Sequence, residues 1–264
     1  MSTLYNKIGV FDSGLGGLSV LKELVAALPS AQFIYVSDAG HCPYGGKRAS
    51  EITDRAEAIT DFLLARGAKL IVVACNTATI AAIESLRASY AVSFVGMEPA
   101  VKPAAALTRS GVVGVLATGA ALAGEKLHKL IERHAAGVRV LTQPCPGLVE
   151  RVEAGLVDSP ETRALVRRYT EPLLAEGADV LVLGCTHYPF LRAVIQQQVG
   201  ADVALLDTGA AVARRTATVW AAEQPSAAIP SEGGLQLFTS GDPMAVSEVA
   251  SQLWGSKLTV ERMC

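Results

Sequence analysis

Leu70-Ile71-Val72-Val73-Ala74-Cys75-Asn76-Thr77-Ala78-Thr79 decides the fold: an apolar, β-branched run stops at a cysteine, small polar residues follow, and a helical pattern takes over. A run of that length and composition reads as a strand buried on both faces, as in a parallel sheet. The design recurs at Val180-Leu181-Val182-Leu183-Gly184-Cys185-Thr186-His187-Tyr188-Pro189. Aligned without a gap, Ile59 to Cys75 and Tyr169 to Cys185 share eight of seventeen positions: Thr60/Thr170, Leu63/Leu173, Leu64/Leu174, Ala65/Ala175, Gly67/Gly177, Ala68/Ala178, Val72/Val182 and Cys75/Cys185. The chain therefore reads as two similar halves, each delivering one thiol at a strand end.

Working outward, strands and helices alternate. A first strand over 8–11 ends in Asp12-Ser13-Gly14-Leu15-Gly16-Gly17 and gives way to a helix over 19–28. A second strand over 33–36 runs into a turn-rich loop at 37–47, followed by helix 50–66, the Cys75 strand over 69–74, helix 78–89 and strand 92–96. The second half opens at Gly111 to Gly119, which echoes Ile8 to Gly14: Ser13 falls opposite Thr118, but Asp12 falls opposite Ala117. Helix 124–134, strand 138–142, helix 160–176, the Cys185 strand, helix 190–198, strand 203–206 and a helix to 222 follow. Residues 224–234, rich in Pro, Ser, Ala and Gly, read as a linker or exposed loop, and the tail as strand 235–239, helix 243–254 and strand 257–261. This alternation predicts parallel sheets with their functional edge at the strand C-termini.

Composition removes several classes. The 264 residues are half apolar with a net charge of −2, without the basic footprint of a nucleic-acid binder. No apolar run approaches the roughly 20 residues that span a bilayer, and Asp12 interrupts the first one, so neither a membrane segment nor a signal peptide is expected and a cytoplasmic location is. Five cysteines, Cys42, Cys75, Cys145, Cys185 and Cys264, are odd in number and widely spaced, which speaks against a disulfide framework. No C-x2-C pair exists, so no metal site is expected.

Cys75 and Cys185 are each placed where a strand ends and a helix begins, a position whose N–H groups and dipole favour thiolate. An isolated cysteine is ordinarily a small core residue, and Cys42, Cys145 and Cys264 read as core or surface. The repeat sets the other two apart. If the halves face each other, the two thiols approach one bound molecule from opposite sides, as inversion of a stereocentre by proton removal and return requires. Asp12 at the first strand end and His187, two residues after Cys185, are the candidate tuners, with Glu150 a weaker one that a helix start also explains. The glycine-rich turn at 13–17 suits a bound carboxylate or phosphate, or is simply a tight turn; with Ser19 at the third glycine position it is no dinucleotide fingerprint.

Asp-Ser-Gly-x-Gly-Gly at 12–17, Pro43-Tyr44-Gly45, Ala74-Cys75-Asn76-Thr77, Glu98-Pro99-Ala100-Val101-Lys102-Pro103 and Leu183-Gly184-Cys185-Thr186-His187-Tyr188-Pro189 together resemble the glutamate racemase family, in order and over nearly the whole chain. The resemblance implies an enzyme without cofactor or metal that interconverts L- and D-glutamate and supplies the D-isomer for peptidoglycan. It implies that Cys75 acts on the D-isomer and Cys185 on the L-isomer, assisted by Asp12 and His187, with Glu150 a further acidic residue of the site. Ser13, Tyr44, Gly45, Asn76, Thr77, Thr118 and Thr186, with Asp12 and His187, match the substrate contacts. It further implies two pseudo-symmetric parallel-sheet α/β domains, residues 1–97 with 207–264 and residues 98–206, with the active site in the cleft between them, and a homodimer. One departure stands out: the family's Ala-Thr-x-x-Thr becomes Ala117-Thr118-Gly119-Ala120-Ala121, so one expected hydroxyl is missing. A racemase of aspartate or another small acid, a non-catalytic binder of small anions, and a hydrolase using a single cysteine remain the alternatives.

Overall fold

The computed structural model describes residues 7–223 and 233–264; the linker expected over 224–234 lies, but for its last two residues, outside the described residues. In chain order the strands are β1 (Lys7–Asp12), β2 (Gln32–Ser37), β3 (Ala68–Val73), β4 (Ser93–Val95), β5 (Val112–Ala117), β6 (Arg139–Pro144), β7 (Val180–Leu183), β8 (Ala204–Leu206), β9 (Gly234–Thr239) and β10 (Val260–Arg262). They form two sheets, ordered β10-β9-β2-β1-β3-β4 and β6-β5-β7-β8, and every pairing is parallel. The chain divides accordingly into two compact units, Met1–Met97 with Gly209–Cys264, and Glu98–Thr208.

The second sheet repeats the middle of the first strand for strand. The order β2-β1-β3-β4 has its counterpart in β6-β5-β7-β8, and the registers agree, Phe11 lying beside Val73 as Leu116 lies beside Leu183. Side-chain packing repeats as well. Gly9 of β1 and Gly114 of β5 leave room for Leu63 and Leu173, which belong to the duplicated segment; a Cβ there would lie 3.0 Å from Leu63 and 2.8 Å from Leu173. Gly67 and Gly177 end the helices Ala49–Ala65 and Pro160–Ala175 with φ of 89° and 86°, a left-handed conformation that glycine adopts without a Cβ penalty. The identities read from sequence are thus the residues that turn each helix back onto its sheet. The apolar runs of β3 and β7 are buried along their length apart from Lys69, as strands covered on both faces must be.

Four elements depart from expectation. Short helices at Gly119–Ala123 and Leu148–Glu153 lie in stretches too brief to show a helical period. The last strand is Val260–Arg262, shorter and later than 257–261. The helix expected over 190–198 is Arg192–Val199, preceded by a 3₁₀ turn, Tyr188–Leu191. Pro189 is the reason: its ring disfavours the α conformation at Tyr188 and it has no N–H for a helical hydrogen bond. Among the described residues no helix is long and apolar enough to cross a membrane.

Candidate active site

In the first unit, β1 ends at Asp12, which is fully buried. Its Oδ2 accepts from the N–H groups of Gly17 (2.9 Å) and Gly14 (3.3 Å). The glycine-rich turn, for which an anion cradle and a simple tight turn were the two readings, therefore directs two of its donors to the chain's own carboxylate. Gly17 is required for this wrap, because a Cβ would stand 2.7 Å from Asp12 Cβ and 2.9 Å from the Tyr35 hydroxyl. That hydroxyl in turn donates to Gly14 O at 2.7 Å, closing the turn.

β3 lies beside β1, so Cys75 emerges next to the Asp12 turn, anchored by Ala74 N–H donating to Phe11 O at 2.8 Å. Cys75 is the N-cap of helix Asn76–Ser89; its Sγ accepts from Ala78 N–H at 3.4 Å and lies 3.8 Å from Ser13 Oγ. A backbone donor at a helix start, aimed at sulfur, favours negative charge there. Asn76 and Thr77 are buried in the same first turn, and Asn76 Oδ1 is buried without a hydrogen-bond partner among the described residues. Such an atom is rare in a folded protein and is an acceptor suited to a bound donor group. Tyr44 is buried and Gly45 follows it in the turn Tyr44–Gly46. The structure thus gathers Asp12, Ser13, Cys75, Asn76 and Thr77 at the C-terminal edge of the first sheet, where open α/β sheets carry their sites.

In the second unit, Gly184 N–H donates to Leu116 O at 2.8 Å, the counterpart of the Ala74 bond. A Cβ at Gly184 would lie 2.9 Å from that carbonyl, so glycine lets β7 pass close to β5 just before Cys185. Cys185, Thr186 and His187 are all buried. Cys185 Sγ lies 3.6 Å from His187 Nδ1, and His187 Nε2 lies 2.6 Å from Glu153 Oε1. With Nε2–H donating to Glu153, Nδ1 faces the Cys185 sulfur as an acceptor for the thiol proton, and the imidazolium so formed keeps a carboxylate partner. Thr118 caps helix Gly119–Ala123, its Oγ accepting from Ala121 N–H at 3.3 Å, and Ala121 is buried.

The acidic residue singled out from sequence was Glu150; the carboxylate that reaches His187 is Glu153. Both lie on helix Leu148–Glu153, whose buried residues are Leu148, Val149 and Val152. At 3.6 residues per turn Glu153 flanks that buried stripe, while Glu150 points away from it and is exposed. The helix phase, with Val-Glu-Arg-Val-Glu read as one turn and a half, is the signal that distinguishes them. Two further residues were not anticipated, Asp38 and Arg55, which bond each other behind Tyr44.

The model of the Asp/Glu/hydantoin racemase family matches residues 8–216. A glutamate racemase of Herpetosiphon aurantiacus is 55% identical over 242 residues, 92% of this chain and 95% of that protein. Escherichia coli glutamate racemase, solved with L-glutamate and the activator UDP-MurNAc-Ala, superposes with a TM-score of 0.86 at 34% identity over 97% of this chain and 98% of that one. The Thermus thermophilus glutamate racemase, solved with β-chloro-D-alanine, gives a TM-score of 0.80 at 37% identity over 98% and 97%. With a family model covering most of its length and a relative 55% identical over 92% of the chain, the chain belongs to the Asp/Glu/hydantoin racemase family.

Proposed function

We propose that this chain is a glutamate racemase that inverts the α-carbon with two thiols and no cofactor or metal. The observation that carries the reading is the placement of Cys75 and Cys185 at equivalent strand ends of two like sheets, Cys75 beside Ser13 and next to the Asp12 turn, Cys185 beside the His187 imidazole. The thiolate of one cysteine takes the α-hydrogen as a proton, and the thiol of the other returns a proton to the opposite face. Each turnover therefore leaves the two sulfurs with their ionisation exchanged, and the reverse reaction starts from that state. Cys75 serves the D-isomer beside Asp12, Cys185 the L-isomer through His187, and Glu153 takes the acidic role assigned from sequence to Glu150. Ser13, Tyr44, Gly45, Asn76, Thr77, Thr118 and Thr186 supply the contacts to the substrate, with Asn76 Oδ1 an acceptor for its ammonium group. The strong identity to curated glutamate racemases supports glutamate over aspartate. The same reading places the enzyme in the cytoplasm, as a homodimer, supplying D-glutamate for peptidoglycan.

Polarimetry on reduced protein without pyridoxal phosphate tests it. Optical rotation of L- or D-glutamate should decay to zero while aspartate keeps its rotation; faster loss with aspartate would transfer the reading to the smaller acid, and no loss with either would defeat it.

A further inference from the structure

The residue after β2 is Asp38, fully buried, with its N–H donating to Asp12 O at 3.0 Å. Cys145 holds the same position after β6, donating to Ala117 O at 3.1 Å. One half thus carries a carboxylate where the other carries a thiol. A carboxylate withdrawn from water is unfavourable unless its lone pairs are filled, and those of Asp38 are. Arg55 grips it with Nε at 3.0 Å from Oδ2 and Nη2 at 2.8 Å from Oδ1, the Tyr44 hydroxyl donates to Oδ2 at 2.6 Å, and His41 Nδ1 stands 3.1 Å from Oδ1. Ser240, just beyond β9, adds another hydrogen bond. Burial alone would raise the carboxyl's pKa, yet the bonds from Arg55, Ser240 and Tyr44 outweigh it and hold it below the usual carboxylate value. Burial first, and then the Asp38 charge, push the Tyr44 phenol far up, so it stays a neutral donor.

An ion pair buried in this way contributes little net stability compared with an apolar replacement; what it fixes is geometry. Tyr44 belongs to the same core cluster as Cys75 and Ala78, and its turn packs on helix Asn76–Ser89. We propose that Asp38, clamped by Arg55, is a positioning residue for the reaction: through the Tyr44 hydroxyl it sets the Tyr44–Gly45 turn against the start of the Cys75 helix. The role assigned to that turn, contact with substrate, rests on the racemase reading; the clamp itself rests on the hydrogen bonds.

Asp38→Asn is the direct variant, and Tyr44→Phe, which deletes one hydroxyl and leaves the Asp38–Arg55 pair intact, keeps the proposal testable if Asp38→Asn does not fold. In the full chain Tyr44→Phe should raise KM for both enantiomers at least fivefold with kcat within threefold of wild type, because a displaced binding turn loses contacts shared by ground and transition states. A merely structural hydroxyl would lower the melting temperature and leave KM alone, and wild-type KM overturns the proposal. The rate of iodoacetamide labelling of Cys75, followed by peptide mass spectrometry, needs no substrate and should rise at least threefold. If the wild-type chain racemises no amino acid, the racemase reading fails and labelling alone decides: a rate unchanged by Tyr44→Phe overturns the clamp.

Discussion

Glu153→Gln keeps the length and shape of the side chain and removes only its charge. The perturbed contact is the 2.6 Å bond to His187 Nε2, with the imidazole side chain 2% exposed and the carboxylate 19%. A hydrogen bond to a charged partner is worth about 1.5–3 kcal/mol, against about 1 for a neutral one. Losing the charge should therefore cost about 1–2 kcal/mol whenever His187 carries a proton, or roughly five- to thirtyfold in rate at 1.36 kcal/mol per decade. Enantiomers have equal free energy, so kcat/KM for L- and D-glutamate must remain equal in any variant, and the loss must appear in both directions although Glu153 serves the Cys185 side. Initial rates from each enantiomer, read by circular dichroism, measure it. Glu150→Gln is the internal control: that residue is exposed and should stay within about twofold of wild type. A Glu153→Gln enzyme as fast as wild type, or a Glu150→Gln enzyme equally impaired, would refute the Cys185–His187–Glu153 relay.

Two further consequences concern stability. Gly17→Ala should force apart Asp12 and Tyr35, whose atoms a new Cβ would meet at 2.7 and 2.9 Å; a loss of about 1–3 kcal/mol in urea unfolding is expected, with reduced turnover, and an unchanged midpoint would contradict the close approach. Asp179 is partly buried, and although burial raises its pKa, bonds from Thr108 Oγ1 (2.5 Å) and the N–H groups of Arg109 (2.7 Å) and Ser110 (2.9 Å) bring it down to about 2. A depressed pKa contributes stability that is complete above the unfolded value, near 4, and is lost as pH falls through about 2. Asp179→Asn should therefore be less stable by about 1 kcal/mol at pH 7, after allowance for solvent screening, with the deficit shrinking between pH 4 and 2; a deficit independent of pH would be inconsistent with a charge effect.

The duplicated segment made the architecture legible because its identities are the residues that geometry constrains most. Gly67 and Gly177 need positive φ, Leu63 and Leu173 fill the space over Gly9 and Gly114, and the two cysteines close their strands. The strand-end position of Asp12 was legible for the same reason, since a parallel sheet fixes where its edge lies, whereas Ser13, Asn76 and Thr77 were singled out by the family resemblance. What escaped depended on phase or on distance along the chain. Choosing Glu153 over Glu150 requires the rotation of a helix of six residues, too short to announce itself. Asp38, Arg55 and Ser240 come together from a strand end, a helix and the tail; the β9-β2 pairing brings Ser240 to Asp38, and the packing of helix Ala49–Ala65 brings Arg55.

Isotope placement at the α-carbon tests the two-thiol account most directly. L-Glutamate is converted in D2O, the reaction is stopped within the first tenth of turnover, and the two enantiomers are separated and examined by mass spectrometry. Two sulfurs on opposite faces predict deuterium in nearly every molecule of the D-isomer and almost none in the recovered L-isomer, with the mirror result from D-glutamate. Equal deuterium in product and recovered substrate would mean that one base serves both faces, and would contradict the account.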